Sequence, residues 1–164
     1  SALLARRLVE GGVRTVLVRF KGWDHHESIA RAMTYGFPPK LEALDQAVTA
    51  LHEDLARRGL DERVTVVLAS EFGRTPRINP RGGRDHWARA SSVLLFGGGL
   101  RRGVVVGKTD ANGEAPIERP VPPADPFCTL LGAPGAALAP VLQRPERPPT
   151  PTRAPLPPPA RGTL

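Results

Sequence analysis

Cysteine is almost absent from this 164-residue chain. The single Cys128 cannot form an intrachain disulfide, and a zinc site built from several cysteines is therefore excluded. The sequence also lacks an apolar run of the roughly 20 residues that a membrane span requires, so we expect no membrane partner. No Gly-x-Ser-x-Gly motif is present to mark the nucleophile of a serine hydrolase.

Aromatic residues make up only 5% of the chain, too few for a platform that stacks nucleic-acid bases. The net charge of +7 would suit a polyanionic partner, but the arginines and lysines are scattered rather than clustered. Arginine predominates beside abundant Ala, Gly and Pro, which is typical of a biased genome. We therefore expect no nucleic-acid partner.

Apolar periodicity indicates two helices in a chain whose 40% hydrophobic content predicts one globular domain. The first is predicted over residues 1–11. The second carries an apolar stripe with spacings of three and four residues and ends at Gly59. The members of that stripe are Leu41, Leu44, Val48, Leu51 and Leu55.

Four β-branched or apolar runs predict strands, at residues 14–20, 63–69, 91–96 and 104–106. Their alternation with helices predicts an α/β fold, a sandwich with a mainly parallel sheet flanked by helices. Proline becomes dense near the end of the chain, where regular structure is disfavoured. We therefore predict a folded region over residues 1–135 and a disordered Pro- and Arg-rich tail over 136–164.

The loop after the first predicted strand combines Asp24, His25, His26 and Glu27. In a parallel sheet, ligand sites form at the C-terminal ends of the strands. Asp oxygen and neutral His nitrogen are ligands for zinc, and Asp with Glu would also suit manganese. The alternative is an ordinary solvated turn with Trp23 packed beneath it.

A second polar loop begins after the second strand and contains Glu71, Asp85 and His86. A carboxylate next to a buried strand would be costly unless a cation or hydrogen bonds met it. Arg74 and Arg84, in the same loop, could neutralise an anionic substrate. They could equally form ordinary ion pairs with Asp85 or Glu71.

Three motifs in this order resemble the bacterial DUF1501 family, a branch of the alkaline phosphatase and sulfatase superfamily. They are Gly22-Trp23-Asp24-x-His26, Glu71-Phe72-Gly73-Arg74-Thr75-Pro76 and Gly83-Arg84-Asp85-His86-Trp87, with Gly97-Gly98-Gly99 and Gly107-x-Thr109-Asp110 beyond them. The resemblance covers about residues 1–125. It implies an alkaline-phosphatase-like sandwich, of which this chain would be the C-terminal portion.

The resemblance also implies that these loops converge on one or two divalent cations, with zinc, manganese, magnesium or calcium as candidates. The residues that would bind the metal are Asp24, His26, Glu71, Asp85 and His86. Arg74 and Arg84 would bind the substrate, a small anionic ester of phosphate or sulfate. Because many relatives are exported, a periplasmic or surface location is one expectation for the full-length protein.

The superfamily takes another metal-binding Asp and a serine or threonine nucleophile from a first strand and the helix after it. No counterpart of that segment is found in this chain. The resemblance therefore implies a hydrolase-like domain that is inactive alone, with the N-terminal part of the same domain as its partner. The alternative is a non-catalytic domain in which a metal supports structure or binding, because a fold does not fix a function.

Overall fold

The computed structural model describes residues 1–131 of the chain. Its helices are α1 (Ala2–Glu10), α2 (Ile29–Arg31), a π-helical turn (Ala32–Gly36), α3 (Phe37–Arg57) and α4 (Ala124–Leu131). Its strands are β1 (Thr65–Leu68), β2 (Gly73–Arg74), β3 (His86–Trp87), β4 (Leu94–Gly97), β5 (Lys108–Thr109) and β6 (Pro116–Glu118). Helices and small strand pairs together give an α/β class.

The two helices predicted from apolar periodicity are confirmed as α1 and α3. Pro38 lies in the first turn of α3, which follows the π-helical turn without a break. The helix ends just before Gly59, which has a φ of +65° that a residue with a side chain rarely adopts. No helix within residues 1–131 is long and apolar enough to cross a membrane.

Helix α1 is held against α3 mainly by charged side chains. Arg6 is buried, and its Nε–H donates to Asp54 Oδ2 over 2.8 Å. Arg58 Nη1 donates to Glu10 Oε1 over 3.1 Å in the reverse direction, from α3 to α1. Among the residues whose burial the structure describes, the buried apolar side chains are Leu55 and Ala32, so this ion-pair network lies beside a small core.

Strands β1 and β4 form the longest strand pair, and they run antiparallel with Thr65 opposite Gly97 and Leu68 opposite Leu94. The expected parallel sheet and sandwich are not supported, because all three described strand pairs are antiparallel. The connection between β1 and β4 explains why this pair is antiparallel. A parallel pair needs a crossover, usually a helix, whereas the segment between β1 and β4 contains only the β2–β3 pair.

The strand predicted over residues 14–20 is absent from the structure. Its β-branched residues favour extended backbone, but no described strand pairs with it. The segment instead runs beside α1 and lines an open groove with Leu4 and Leu8. Leu17 is 84% exposed there, which shows that local propensity alone did not bury this run.

Two other strand predictions also changed. The strand predicted over 91–96 is confirmed only in its second half, as β4. The strand predicted over 104–106 is wrong, because the chain becomes a strand only beyond Gly107, in β5. The predicted tail over residues 136–164, and the boundary at residue 135, lie outside the described residues.

Candidate metal centre

The short β2–β3 pair fixes the first part of the site. Its antiparallel register sets Gly73 opposite Trp87 and Arg74 opposite His86. Gly73 has no side chain, which is required because a Cβ there would overlap the carbonyl oxygen of Ala90. This pairing places His86 directly across from Arg74, on the neighbouring strand.

Backbone hydrogen bonds fasten the loop of Asp24 and His26 to the segment before His86. Arg84 N donates to His25 O over 3.1 Å, and Ile29 N donates to Gly82 O over 2.8 Å. Between them lies Gly83, which is buried directly against the His26 backbone. A Cβ on Gly83 would overlap the His26 carbonyl, so the close approach of the two loops requires glycine.

Three side chains from these loops converge on one point. His26 Nε2 lies 3.0 Å from Asp24 Oδ1 and 3.1 Å from His86 Nε2. His86 Nε2 lies 3.2 Å from Asp24 Oδ1, which closes the triangle. Asp24, His26 and His86 therefore form a group that could hold a metal ion, and we call it the metal triad.

The size of the triangle fits a small divalent cation. Ligand atoms at about 2.0–2.1 Å from a tetrahedral zinc ion lie roughly 3.3–3.4 Å from one another, close to the observed edges. The side chains of Asp24, His86 and His26 are 62%, 47% and 34% exposed. The triad is therefore accessible from solvent, as a site for a small molecule must be.

A second layer of contacts holds the ring of His26. Its Nδ1 lies 2.8 Å from Asp85 Oδ1, on the side of the ring away from the triad. The same oxygen accepts a hydrogen bond from Asn79 Nδ2 over 3.0 Å. The hydrogen bond with His26, followed by that from Asn79, lowers the pKa of Asp85, which stabilises its ionised form.

Arg74 supplies a positive charge at the edge of the triad. Its Nη2 donates a hydrogen bond to Asp24 Oδ1, and Nη1 donates to Arg84 O over 3.1 Å. The hydrogen bond from Arg74, and next that from His86, lowers the pKa of Asp24 to about 2. Asp24 is consequently a carboxylate at neutral pH, the form that binds cations.

Only three of the five residues expected to bind the metal come together in the structure. Asp24, His26 and His86 come together, while Asp85 contacts the far side of His26. Glu71 is exposed, lies outside the metal triad and makes no hydrogen bond or ion pair within residues 1–131. The sequence pattern placed Glu71 beside a buried strand, but β1 already ends at Leu68 and the loop has turned into solvent.

Arg84 and His25, which also drew attention in the sequence, lie outside the metal triad. Arg84 Nη1 donates to the carbonyls of Thr75 and Pro76, each over 2.6 Å, and so holds its own loop. His25 is not a member of the metal triad, and its ring makes a T-shaped contact with Phe37 at a centroid distance of 4.8 Å. Of the two adjacent histidines, His26 is the one in the triad.

Sequence reasoning missed the role of Asn79. Asn79 Nδ2 also donates to the backbone oxygen of His26 over 2.9 Å, which ties the two loops together. An asparagine in a polar loop carries no distinctive chemical signal. The only available clue was its position, four residues before Gly83 and six before Asp85.

Of the comparisons with known proteins, the one with protein families finds a match. No curated protein and no solved structure matches the chain. The family described as "Protein of unknown function (DUF1501)" matches residues 1–151, which extends beyond the resemblance expected over about residues 1–125. Because this match spans most of the 164 residues, the chain belongs to the DUF1501 family.

Proposed function

We propose that this protein is a metal-dependent hydrolase of small phosphate or sulfate esters, with a divalent cation held by the metal triad. The observation that carries the proposal is the triangle of Asp24 Oδ1, His26 Nε2 and His86 Nε2, with edges of 3.0–3.2 Å. Hydrolytic zinc sites commonly use three such protein ligands and leave a position open to water or substrate.

Two imidazole nitrogens in the triad favour zinc over magnesium and calcium, which prefer oxygen ligands. A divalent cation bound there would polarise an ester oxygen and activate water for attack. The chain contributes charge and orientation. Arg74 lies beside Asp24 and has further N–H groups that can bind the oxygens of an anionic ester.

The supporting contacts keep the ligand side chains in place before a substrate arrives. Asp85 bonds the outer nitrogen of His26, and the ring of Phe72 stacks on His86. Such preorganisation matters because each ligand that must be ordered during binding costs conformational entropy. These contacts support a functional site more strongly than three exposed polar side chains alone would.

Metal binding is the first test. We expect the metal-free chain to take one zinc ion in competition with a chromophoric chelator. His26→Ala and His86→Ala should weaken binding by more than the roughly 10–100-fold that loss of a supporting contact costs. His25→Ala is the matched control, because its ring faces Phe37 and it should bind zinc like the wild type.

Hydrolysis is the second test, with aryl phosphates and aryl sulfates in the presence of zinc, manganese, magnesium or calcium. In the complete protein we expect turnover that requires the metal, is lost in His86→Ala and is retained in His25→Ala, whereas the family resemblance implies no turnover by the 164-residue chain alone. Tight zinc binding without turnover of either ester class would overturn the hydrolase assignment and leave a metal-stabilised binding domain. Failure to bind any of these cations would overturn the proposal as a whole.

A further inference from the structure

The side chain of Asn79 uses both ends of its amide to join the two loops of the metal centre. Its Nδ2 donates to Asp85 Oδ1 over 3.0 Å and to His26 O over 2.9 Å. Its Oδ1 accepts hydrogen bonds from Arg81 N over 3.0 Å and Gly83 N over 2.9 Å. One amide therefore shapes the loop and, independently, directs a carboxylate.

The carboxylate that Asn79 directs determines how His26 can act. An ionised carboxylate only accepts hydrogen bonds, so the Asp85 Oδ1 contact requires the proton on His26 Nδ1. Asp24 Oδ1 lies 3.0 Å from Nε2 and competes for the proton of the neutral ring, but Arg74 already donates to that oxygen and the Asp85 contact is shorter. With the proton on Nδ1, Nε2 carries the lone pair, and Nε2 is the atom that belongs to the metal triad. Fixing the proton at Nδ1 thus prepares Nε2 as a ligand.

Asp85 has a competing partner that would draw it away. The side chain of Asp85 is 46% exposed, and Arg81 Nη2 lies 3.9 Å from its Oδ1. Without the Asn79 amide, the carboxylate could rotate towards Arg81 or solvent, because exposed ion pairs restrain geometry only weakly. The Asn79 hydrogen bond is what favours the orientation towards His26.

We propose that Asn79 is a positioning residue of the metal centre, acting through Asp85 to hold His26 in the Nδ1–H tautomer with Nε2 directed at the cation. The inference rests on the proposed metal binding and does not depend on which ester, if any, is hydrolysed. It assigns a role to a side chain that touches neither the cation nor a substrate.

The decisive variant is Asn79→Asp. It keeps an oxygen to accept from Arg81 N and Gly83 N, so the loop can retain its shape, but it replaces the Nδ2 donor with a second oxygen facing Asp85. The added negative charge would by itself strengthen cation binding. A loss of zinc affinity therefore cannot be a simple charge effect. Asn112→Asp, at an exposed position in the β5–β6 turn, is the matched control.

We expect Asn79→Asp to weaken zinc binding by at least about 10-fold, in the range typical of supporting contacts, and Asn112→Asp to leave it unchanged. Asn79→Ala, which also removes the loop-shaping oxygen, should weaken binding further, whereas Asn79→Asp should cause no additional loss in an Asp85→Ala background. Long-range proton–nitrogen NMR spectra of the metal-free chain should show the His26 proton on Nδ1, with Nε2–H increasing in both Asn79 variants.

The outcomes separate this inference from the proposed function. If the wild type binds zinc and Asn79→Asp binds it equally well, the positioning role is refuted while the metal site stands. Losses that multiply between Asn79→Asp and Asp85→Ala would equally refute action through Asp85. If the wild type binds no zinc, the proposed function fails first, and the NMR tautomer still decides whether Asn79 orients His26.

Discussion

The ring of Phe72 stacks on the imidazole of His86, with centroids 3.9 Å apart and ring planes inclined by 28°. Phe72 precedes β2 and His86 begins β3, so the contact crosses the short strand pair. The guanidinium of Arg74 also lies near the Phe72 ring, 5.6 Å from its centroid. The Phe72 side chain thus restrains both His86, a member of the metal triad, and the guanidinium of Arg74 beside it.

Replacement of Phe72 by leucine should therefore weaken zinc binding without removing a ligand. An aromatic contact contributes about 0.5–1.5 kcal/mol, which corresponds to a roughly 2- to 10-fold change in affinity. Titration of the metal-free chain with zinc provides the measurement. Tyr35→Leu, at a ring that is 76% exposed, serves as the control. Equal affinities for both variants would show that His86 does not depend on the stack.

Arg74 should affect the cation and the substrate in opposite directions. Its guanidinium contacts the same Asp24 oxygen that belongs to the triad, so Arg74→Gln should raise zinc affinity by about two- to fivefold, and less at high salt. The same variant should raise the KM for anionic esters. Arg77→Gln, at an 88% exposed side chain in the same loop, is the control. Weaker zinc binding in Arg74→Gln would mean that Arg74 mainly orients Asp24.

Gly83 should tolerate no side chain. In Gly83→Ala the new Cβ would overlap the His26 backbone, which cannot move aside by changing rotamer. We expect a loss of about 1–3 kcal/mol of stability together with weakened zinc binding. Gly36→Ala is the matched control, because its nearest new neighbour would be Ala32 Cβ at an ordinary 3.9 Å. Chemical denaturation and zinc titration of both variants would check this. Wild-type stability in Gly83→Ala would show that the loops can separate.

The sequence correctly predicted helices, which depend on a local apolar pattern. It predicted strands only in part, because they depend on the strand that pairs with them. The apolar spacing from Leu41 to Leu55 determines a helix face, and α3 follows it. Residues 14–20 have the composition of a strand, but a strand exists only when another one pairs with it. Similarly, the apolar run that became β1 predicted extended structure and carried no information on whether β4 would lie parallel or antiparallel to it.

Some residues of the candidate site could likewise be predicted from the sequence, and others could not. Asp24, His26 and His86 could be singled out because carboxylates and imidazoles are distinctive ligand chemistry. Glu71 has the same chemistry, yet its exposed position outside the triad depends on the path of the loop after β1. Asn79 could not be recognised from the sequence, because its role comes from four hydrogen bonds that form only when the loops are folded together.

The interface of α1 and α3 should weaken in acid. The hydrogen bond from Arg58, followed by the positive charges of Arg58 and Arg6, lowers the pKa of Asp54 from its ordinary 3.8. A folded-state pKa below the unfolded one means that ionised Asp54 contributes stability above pH 3.8, and that this contribution is lost as the pH falls through the folded-state pKa.

Asp54→Asn should accordingly be less stable than the wild type at neutral pH, and the difference should shrink as the pH falls below 3.8. Urea unfolding at several pH values would measure it. Asp45→Asn is the control on the same helix, since the side chain of Asp45 is exposed and makes no hydrogen bond or ion pair within residues 1–131. A difference between wild type and Asp54→Asn that stayed constant with pH would contradict this account.

The unpaired extended segment beside α1 has a consequence for solubility. At Leu17 and Val18 it exposes apolar side chains together with backbone groups that no strand within residues 1–131 pairs with, which is the combination that promotes intermolecular β-pairing. Arg14 and Arg19 flank this run, and charges at such positions oppose self-association. The tendency to aggregate should therefore depend on these two arginines. Arg14→Ser and Arg19→Ser should accelerate aggregation at high protein concentration, and most strongly at low salt, where their charge repulsion is not screened.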